Sequence, residues 1–88
     1  MKTIFKYPLE ITDRQILSIP EGAEILCVQN QNNKVYLWAM IEMSNPNNIR
    51  KLRIIGTGHD IENEKLNYIG TIQQMEGQLV WHIFEALT

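Results

Sequence analysis

The sequence has few of the residue types from which most catalytic and metal sites are built. Its 88 residues include one cysteine, Cys27, two histidines, His59 and His82, and three prolines. A single cysteine excludes an intramolecular disulfide and any zinc site made of several thiolates. Cys27 lies in an apolar run, so we expect it to be a buried apolar side chain rather than a reactive one.

Long apolar runs and blocks of like charge are also missing. No segment approaches the ~20 apolar residues of a membrane span, and the first residues lack the apolar stretch of a signal peptide. Eight basic and ten acidic residues give a net charge of −2, and the basic ones are spread along the chain. Binding a nucleic-acid duplex would need clustered cations. We therefore expect a cytoplasmic protein with neither duplex nucleic acid nor membrane as a partner.

Short apolar segments, spaced about ten to twelve residues apart and divided by turn residues, indicate strands. Pro8 suits an edge strand or a strand end, because it has no N–H to donate. Pro20-Glu-Gly22 predicts a type II turn with proline in the second position. The expected strands cover residues 3–7, the second half of 12–18, 24–31, 34–43, 49–57, 68–74 and 78–85. The pattern predicts one domain over residues 1–88, all-β, as an antiparallel β-sandwich or small partly open barrel of six to seven strands.

The final predicted strand is apolar on both of its faces. Alternation divides its side chains into two sets, one of Leu79, Trp81 and Ile83 and the other of Val80, His82 and Phe84. A sheet in a domain this small is expected to have one wet face. We therefore expect a second copy of the chain to cover the set formed by Val80, His82 and Phe84, which makes the protein a homo-oligomer.

The strand over residues 34–43 has the same two-sided character. One face carries the aliphatic residues Val35, Leu37, Ala39 and Ile41, and the other carries Tyr36, Trp38 and Met40. Because tryptophan and tyrosine are enriched at interfaces and ligand sites, the aromatic face is a candidate for either. A sandwich core that wraps both faces is the alternative interpretation.

The segment Ile54-Ile-Gly-Thr-Gly-His-Asp60 is the best candidate for a ligand site. Its glycines permit positive φ and close approach of the backbone to a ligand. Exposed N–H groups, Thr57, Gly58 and His59 can form an anion nest, with Arg53 upstream to neutralise a phosphate. Tyr36 or Trp38 would then stack on a base. A glycine-shaped turn with a solvated histidine is the alternative.

Catalytic signatures are weak throughout the chain. His82 lies within a strand and is expected to be a hydrogen-bonded structural residue. A metal site built on His59 and His82 would need a carboxylate such as Asp60 or Glu85. The acidic residues that alternate between positions 60 and 64 lack the register of a calcium loop, so we expect a solvated loop there. No cofactor, metal or catalytic residue is assigned.

Two pairs of segments resemble a family of short, mostly uncharacterised phage and bacterial proteins. The first pair is Ile19-Pro-Glu-Gly-Ala-Glu-Ile-Leu-Cys-Val-Gln-Asn-Gln31 with Leu37-Trp38, and the second is Gly56-Thr-Gly-His59 with Val80-Trp-His-Ile-Phe-Glu85. The resemblance covers residues 2–85 and implies a phage or prophage accessory origin. Other small phage β-proteins form oligomers that sequester cyclic-nucleotide immune signals, and the analogy suggests that role without assigning a catalytic residue.

The expected function is a non-enzymatic, homo-oligomeric accessory protein that binds a small anionic ligand. In its sharpest form it sequesters a nucleotide-derived immune signal in the cytoplasm of a bacterial host. The alternative is a structural or protein–protein interaction module of a phage. A small phosphodiesterase that uses His59 and His82 is the minor alternative.

Overall fold

Seven antiparallel strands form two sheets in the computed structural model, which describes residues 1–87. Sheet A has the strand order β1-β4-β3, and sheet B has the order β2-β5-β7-β6. This confirms the predicted all-β sandwich or partly open barrel. The strands are β1 (Lys2–Leu9), β2 (Arg14–Pro20), β3 (Glu24–Gln31), β4 (Lys34–Glu42), β5 (Asn47–Gly56), β6 (Leu66–Gln74) and β7 (Leu79–Ala86).

Residues 1–87 contain no helix that could span a membrane.

The core lies between the two sheets and is built by period-two alternation on each strand. The aliphatic face of β4 is buried, and Tyr36, Trp38 and Met40 on its other face are half-buried. From β7, Ile83 is fully buried and Trp81 packs half-buried against the cluster. The other large contributors are Leu17, Ile19, Val28, Leu52, Ile54 and Ile72.

The sheets meet along one side and separate along the other. Strands β3 and β6 pack side by side, so sheet A leans on sheet B along these two edges. On the opposite side β1 and β2 are the outer strands of their sheets. Phe5 is 43% exposed there, although alternation directs it toward the interior. The interior is therefore partly open along β1.

A β-bulge in β3 changes the predicted environment of Cys27. Ile25 pairs with Ala39 and Cys27 pairs with Trp38, so Leu26 is the extra residue between them. The bulge turns Cys27 to the outward face of sheet A, where it is half-buried rather than part of the core. A second small correction concerns the turn after β2. Ala23 N donates to Pro20 O and Gly22 has φ of +80°, so Pro20 is the first residue of the turn, not the second.

The connection between β5 and β6 crosses the final strand. Both strands run antiparallel to β7, which lies between them, so residues 57–65 must pass from one end of β7 to the other. Ile55 points outward by alternation with the core residue Ile54, yet it is only 4% exposed. Part of the second apolar face of sheet B is therefore covered by the chain itself, and a second copy is not needed to explain that cover.

Candidate functional site

The glycine-rich segment forms a tight turn at the end of β5. His59 N donates to Gly56 O at 3.1 Å, and Gly58 has φ of +87°, a conformation that favours glycine. A Cβ placed on Gly56 would lie 2.9 Å from the ring of His59 and 3.3 Å from Trp81. A glycine is therefore favoured at position 58 by the backbone conformation and at position 56 by close packing. Thr57, Gly58 and His59 are themselves exposed.

Arg53, the expected phosphate ligand beside this turn, is engaged elsewhere. Its side chain is 13% exposed, and its Nε donates to Glu64 Oε2 at 3.0 Å. Glu64 also pairs with Arg14 Nη2 at 2.5 Å, and Arg14 and then Arg53 hold the pKa of this carboxyl below its ordinary value. Glu64 was expected in a solvated loop, but it is an ion-pair partner of two arginines. The Gly58 turn therefore lacks the free guanidinium that the anion interpretation required.

A chain of side-chain hydrogen bonds crosses the outer face of sheet B through His82. Thr57 Oγ1 lies 2.8 Å from His82 Nε2, and Thr71 Oγ1 lies 2.9 Å from Nδ1. Tyr68 Oη extends the chain, 2.5 Å from Thr71 Oγ1. Both ring nitrogens are engaged by hydroxyl groups, which can donate or accept. The arrangement is that of a hydrogen-bonded structural histidine that ties β7 to β6 and to the Gly58 turn.

Among residues 1–87, the hydrogen-bond partners of this histidine are hydroxyl groups and include no carboxylate. Glu85 is three residues along β7 and so lies on the opposite face, where Arg50 Nη2 donates to its Oε1 at 2.8 Å. A general base is normally oriented by a third group, often a carboxylate, and His82 meets only hydroxyls. Over residues 1–87 no group of three His, Cys, Asp or Glu side chains is placed to hold a metal ion.

The three residues expected at an oligomer interface are half-buried within the single chain. The ring of Phe84 meets the ring of Tyr68 edge-on, with centroids 5.5 Å apart, and His82 lies within the hydroxyl chain. Val80 is half-buried as well. Tyr68 itself is 61% exposed. Side chains of the same chain therefore partly cover this face of β7, and the ring of Tyr68 lies exposed to solvent.

The predicted aromatic pair lies on the other side of the molecule. Tyr36 and Trp38 are both half-buried on the outward face of sheet A, with ring centroids 5.9 Å apart in an edge-to-face arrangement. The Nζ of Lys6 lies 4.5 Å from the centroid of Tyr36 and donates to Gln31 Oε1 at 2.7 Å. Arg53 and Thr57 project from sheet B, so one chain does not bring the aromatic pair and the Gly58 turn into one pocket.

Charges on this outward face of sheet A differ between its two ends. Lys34 and Lys6 share the face with Tyr36 and lie toward its end of β4 by register. The carboxylates of the face lie at the other end, where Glu42 pairs with the amino terminus and lies opposite Lys2. Sequence reasoning missed Lys6, because its proximity to Tyr36 depends on how β1 pairs with β4. The alternation of Ile4, Lys6 and Pro8 places them on one face but does not indicate this partner.

Two clefts flank the junction of β3 and β6. One has a volume of about 660 Å³ and lies between the β3–β4 and β6–β7 hairpins, with the side chains of Asn30, Gln73, Met75 and Leu79 among its walls. The other, about 430 Å³, has the Arg50–Glu85 ion pair in its lining. Arg50 also donates to Ala23 O at 2.9 Å, so its guanidinium serves mainly to join β3, β5 and β7.

Fold and surface together define a small β-sandwich with Tyr36, Trp38 and Lys6 on the outward face of one sheet. The chain belongs to the family described as a domain of unknown function, DUF7352, whose model matches residues 1–88. No curated protein and no solved structure matches the chain significantly.

Proposed function

We propose that this protein is a non-enzymatic binding protein whose ligand is a small anion that carries a flat ring. The observation that supports the proposal is the cluster of Lys6, Tyr36 and Trp38 on the outward face of sheet A. Aromatic rings of this kind stack on bases, and a nearby ammonium attracts a phosphate. A nucleotide carries both features.

The surrounding charges favour this face over the Gly58 turn. Lys6 and Lys34 lie beside Tyr36, whereas Arg53 is already engaged in an ion pair with Glu64. Gln29 pairs with Tyr36 across the ladder and is exposed, so it adds a carboxamide that can recognise the edge of a base. The residues that the sequence assigned to one ligand site therefore lie on two different sheets. Tyr36 and Trp38 are kept, and Lys6 replaces Arg53 as the cation.

In the sharpest form of the proposal, the ligand is a nucleotide-derived signal of bacterial immunity. The protein would be a phage or prophage accessory factor that sequesters this signal as a homo-oligomer in the host cytoplasm. The support is the resemblance to small phage proteins together with the cluster of Lys6, Tyr36 and Trp38. A sequestrant needs no catalytic group.

Calorimetric titration of the purified protein with cyclic mono- and dinucleotides tests the proposal. We expect at least one member to bind below about 100 µM, since a sequestrant must hold its target at low cellular levels. Lys6→Ala and Trp38→Ala should each weaken binding about tenfold or more, and added salt should weaken it as well. Lys51→Ala on the outer face of sheet B is the matched control and should leave affinity unchanged. Absence of binding across the panel, or equal losses in Lys6→Ala and Lys51→Ala, contradicts the proposal.

A protein-binding module is the second candidate, favoured by exposed aliphatic residues on the outer face of sheet B. Ile16 is 65% exposed and Ile49 is 58% exposed, and they lie on neighbouring strands that pair with each other. Isolated apolar residues on a surface are common, but a contiguous patch indicates an interaction site. If no nucleotide binds and Ile16→Lys abolishes capture of a partner protein, this candidate replaces the first.

A further inference from the structure

Strand β1 is the free edge of sheet A, and its backbone shows which residues face outward. Within residues 1–87 it is paired with β4 alone. Met43 N donates to Met1 O at 3.1 Å, which makes this pair a hydrogen-bonded pair of the ladder. Hydrogen-bonded pairs alternate along an antiparallel ladder, so odd-numbered residues of β1 bond to β4 and even-numbered residues point their N–H and C=O groups away from it.

Pro8 agrees with this assignment, because the residue without an N–H occupies an outward position. Ile4 and Lys6 then present both a donor and an acceptor to solvent. Pro8 presents only its carbonyl. The middle of β1 is therefore an open half of a β-ladder.

The usual protection of such an edge is weak here. Edge strands are commonly guarded by lysine side chains that project beyond the sheet. Lys6 does not project in this way, since its Nζ bonds to Gln31 on β3, on the far side of β4. Ile4 is 56% exposed on one face of the strand and Phe5 is 43% exposed on the other. Another β-strand could therefore form hydrogen bonds with this edge and cover the apolar side chains on both of its faces.

We propose that a second copy of the chain pairs its own β1 with this edge, antiparallel and about a two-fold axis. The two three-stranded sheets would then form one continuous sheet. The inference rests on the proposed homo-oligomer, but it does not depend on the proposed ligand. It places the second copy on β1 instead of on the face of β7 formed by Val80, His82 and Phe84.

Charge excludes two of the registers that pair the even-numbered residues of β1 with one another. Centring the axis on Ile4 places Lys2 opposite the partner's Lys6, and centring it on Lys6 places two Lys6 residues opposite each other. Like charges directly opposite are destabilising. Centring it on Phe5 places Ile4 opposite the partner's Lys6, and no lysine faces another. Among the registers that charge allows, this one pairs the longest stretch of β1, residues 2–8.

The Phe5-centred register also buries the exposed apolar ring of Phe5. Phe5 and the partner's Phe5 form a direct cross-strand pair at a position without hydrogen bonds, where side chains are closest. Both rings lie beside the open side of the sandwich, where a cleft of about 320 Å³ includes Phe5, Tyr7 and Met43 in its walls. The pairing would close this cleft and bury the exposed part of Phe5.

Sedimentation velocity of the ligand-free protein over micromolar concentrations tests the interface. We expect a species of twice 10.3 kDa. Ile4→Pro removes an outward donor and none that bonds to β4, so circular dichroism should stay native. The dimer dissociation constant should rise about tenfold or more, since symmetry removes two hydrogen bonds. Ile16→Pro makes the same change at an exposed position of the other free edge strand, β2, and should leave the dimer intact.

Disulfide trapping tests the register independently. In a Cys27→Ala background, Ile4→Cys and Lys6→Cys proteins should crosslink readily when mixed and slowly when each is alone. A monomer at all concentrations overturns both the homo-oligomer and this interface. A dimer that Ile4→Pro does not weaken overturns the β1 interface and leaves a homo-oligomer of another kind. Ready crosslinking of Lys6→Cys alone overturns the Phe5-centred register. A failed nucleotide titration with a confirmed β1 dimer removes only the proposed ligand.

Discussion

Gly70 on β6 faces Val28 on β3, where the edges of the two sheets pack together. A Cβ placed on Gly70 would lie 2.8 Å from Val28 Cγ2 and 3.9 Å from the backbone of the same residue. Gly70 does not have a positive φ, so the backbone conformation does not require glycine here. Glycine is favoured because a side chain would collide with Val28. The sheets lean together at this point because one strand has no side chain there.

Gly70→Ala should therefore destabilise the fold by about 1–3 kcal/mol, the usual range for overpacking in a well-packed site. Urea denaturation followed by tryptophan fluorescence measures the change. Gly58→Ala is the informative comparison, since a Cβ there meets no atom within 4 Å and only the backbone conformation opposes it. That variant should cost about 1–2 kcal/mol. Wild-type stability in Gly70→Ala would mean that β3 and β6 separate easily.

Glu64 gives the fold a predictable acid sensitivity. Arg14 and Arg53 lower its pKa in the folded protein from the ordinary value of 4.5. A group with a lowered folded pKa stabilises the protein above its unfolded pKa, and this contribution is lost as pH falls through the folded value. Unfolding free energy should accordingly drop below about pH 4.5, and Glu64→Gln should reduce that drop.

Glu62→Gln is the control for this pH profile, because Glu62 is exposed in the same connection. Denaturation curves at several pH values between 3 and 7 separate the two variants. If Glu62→Gln and Glu64→Gln flatten the profile equally, the ion pairs with the two arginines are not responsible.

Trp81 should contribute more to stability than Trp38. Trp81 packs against the core cluster and donates from Nε1 to Gln74 Oε1 at 3.1 Å, whereas Trp38 lies on an outer face. We expect Trp81→Ala to cost about 3 kcal/mol, at the low end for aromatic truncation because the ring is only half-buried. Trp81→Phe should cost about 1 kcal/mol through the lost hydrogen bond. A loss below about 1 kcal/mol in Trp81→Ala would mean that Trp81 lies on the outer face of β7 and not against the core.

The Arg50–Glu85 ion pair should show strong coupling. Its side chains are 25% and 14% exposed, and they meet through two hydrogen bonds. Arg50→Met should cost about 2–3 kcal/mol, less than a fully buried pair, because it leaves the Glu85 carboxylate poorly solvated. Adding Glu85→Gln should recover part of that loss. A double-mutant cycle by urea denaturation measures the coupling, and additive losses would contradict it.

Sequence patterns predicted the strands well because the buried face of each strand imposes a period of two. That rule groups the aliphatic residues of β4 on one face and Ile83 with Trp81 on one face of β7, and these are the faces that meet the core. The rule fails at Leu26, where an inserted residue turns Cys27 outward without any periodic signal. A bulge depends on pairing with the neighbouring strand, which local alternation does not encode.

The candidate site was harder to predict, since it depends on which strands become neighbours. Tyr36 and Trp38 were identified from their shared face, but Lys6 approaches Tyr36 only because β1 pairs with β4. Arg53 was assigned to a nearby turn by its position in the chain. Its actual partner, Glu64, reaches it through a connection whose path the sequence does not indicate.

The order of strands in sheet B also constrains how the protein folds. Strand β7 lies between β5 and β6, although it follows both in the chain. Until residues 79–86 are available, β6 has no hydrogen-bonding partner in its sheet, and β5 has only β2. The final strand therefore completes two ladders at once, and its ladder with β5 is long-range, which slows formation of a β-sheet. A chain shortened before Leu79 would lose the docking of β6 along with β7, leaving two apolar strand edges open to aggregation.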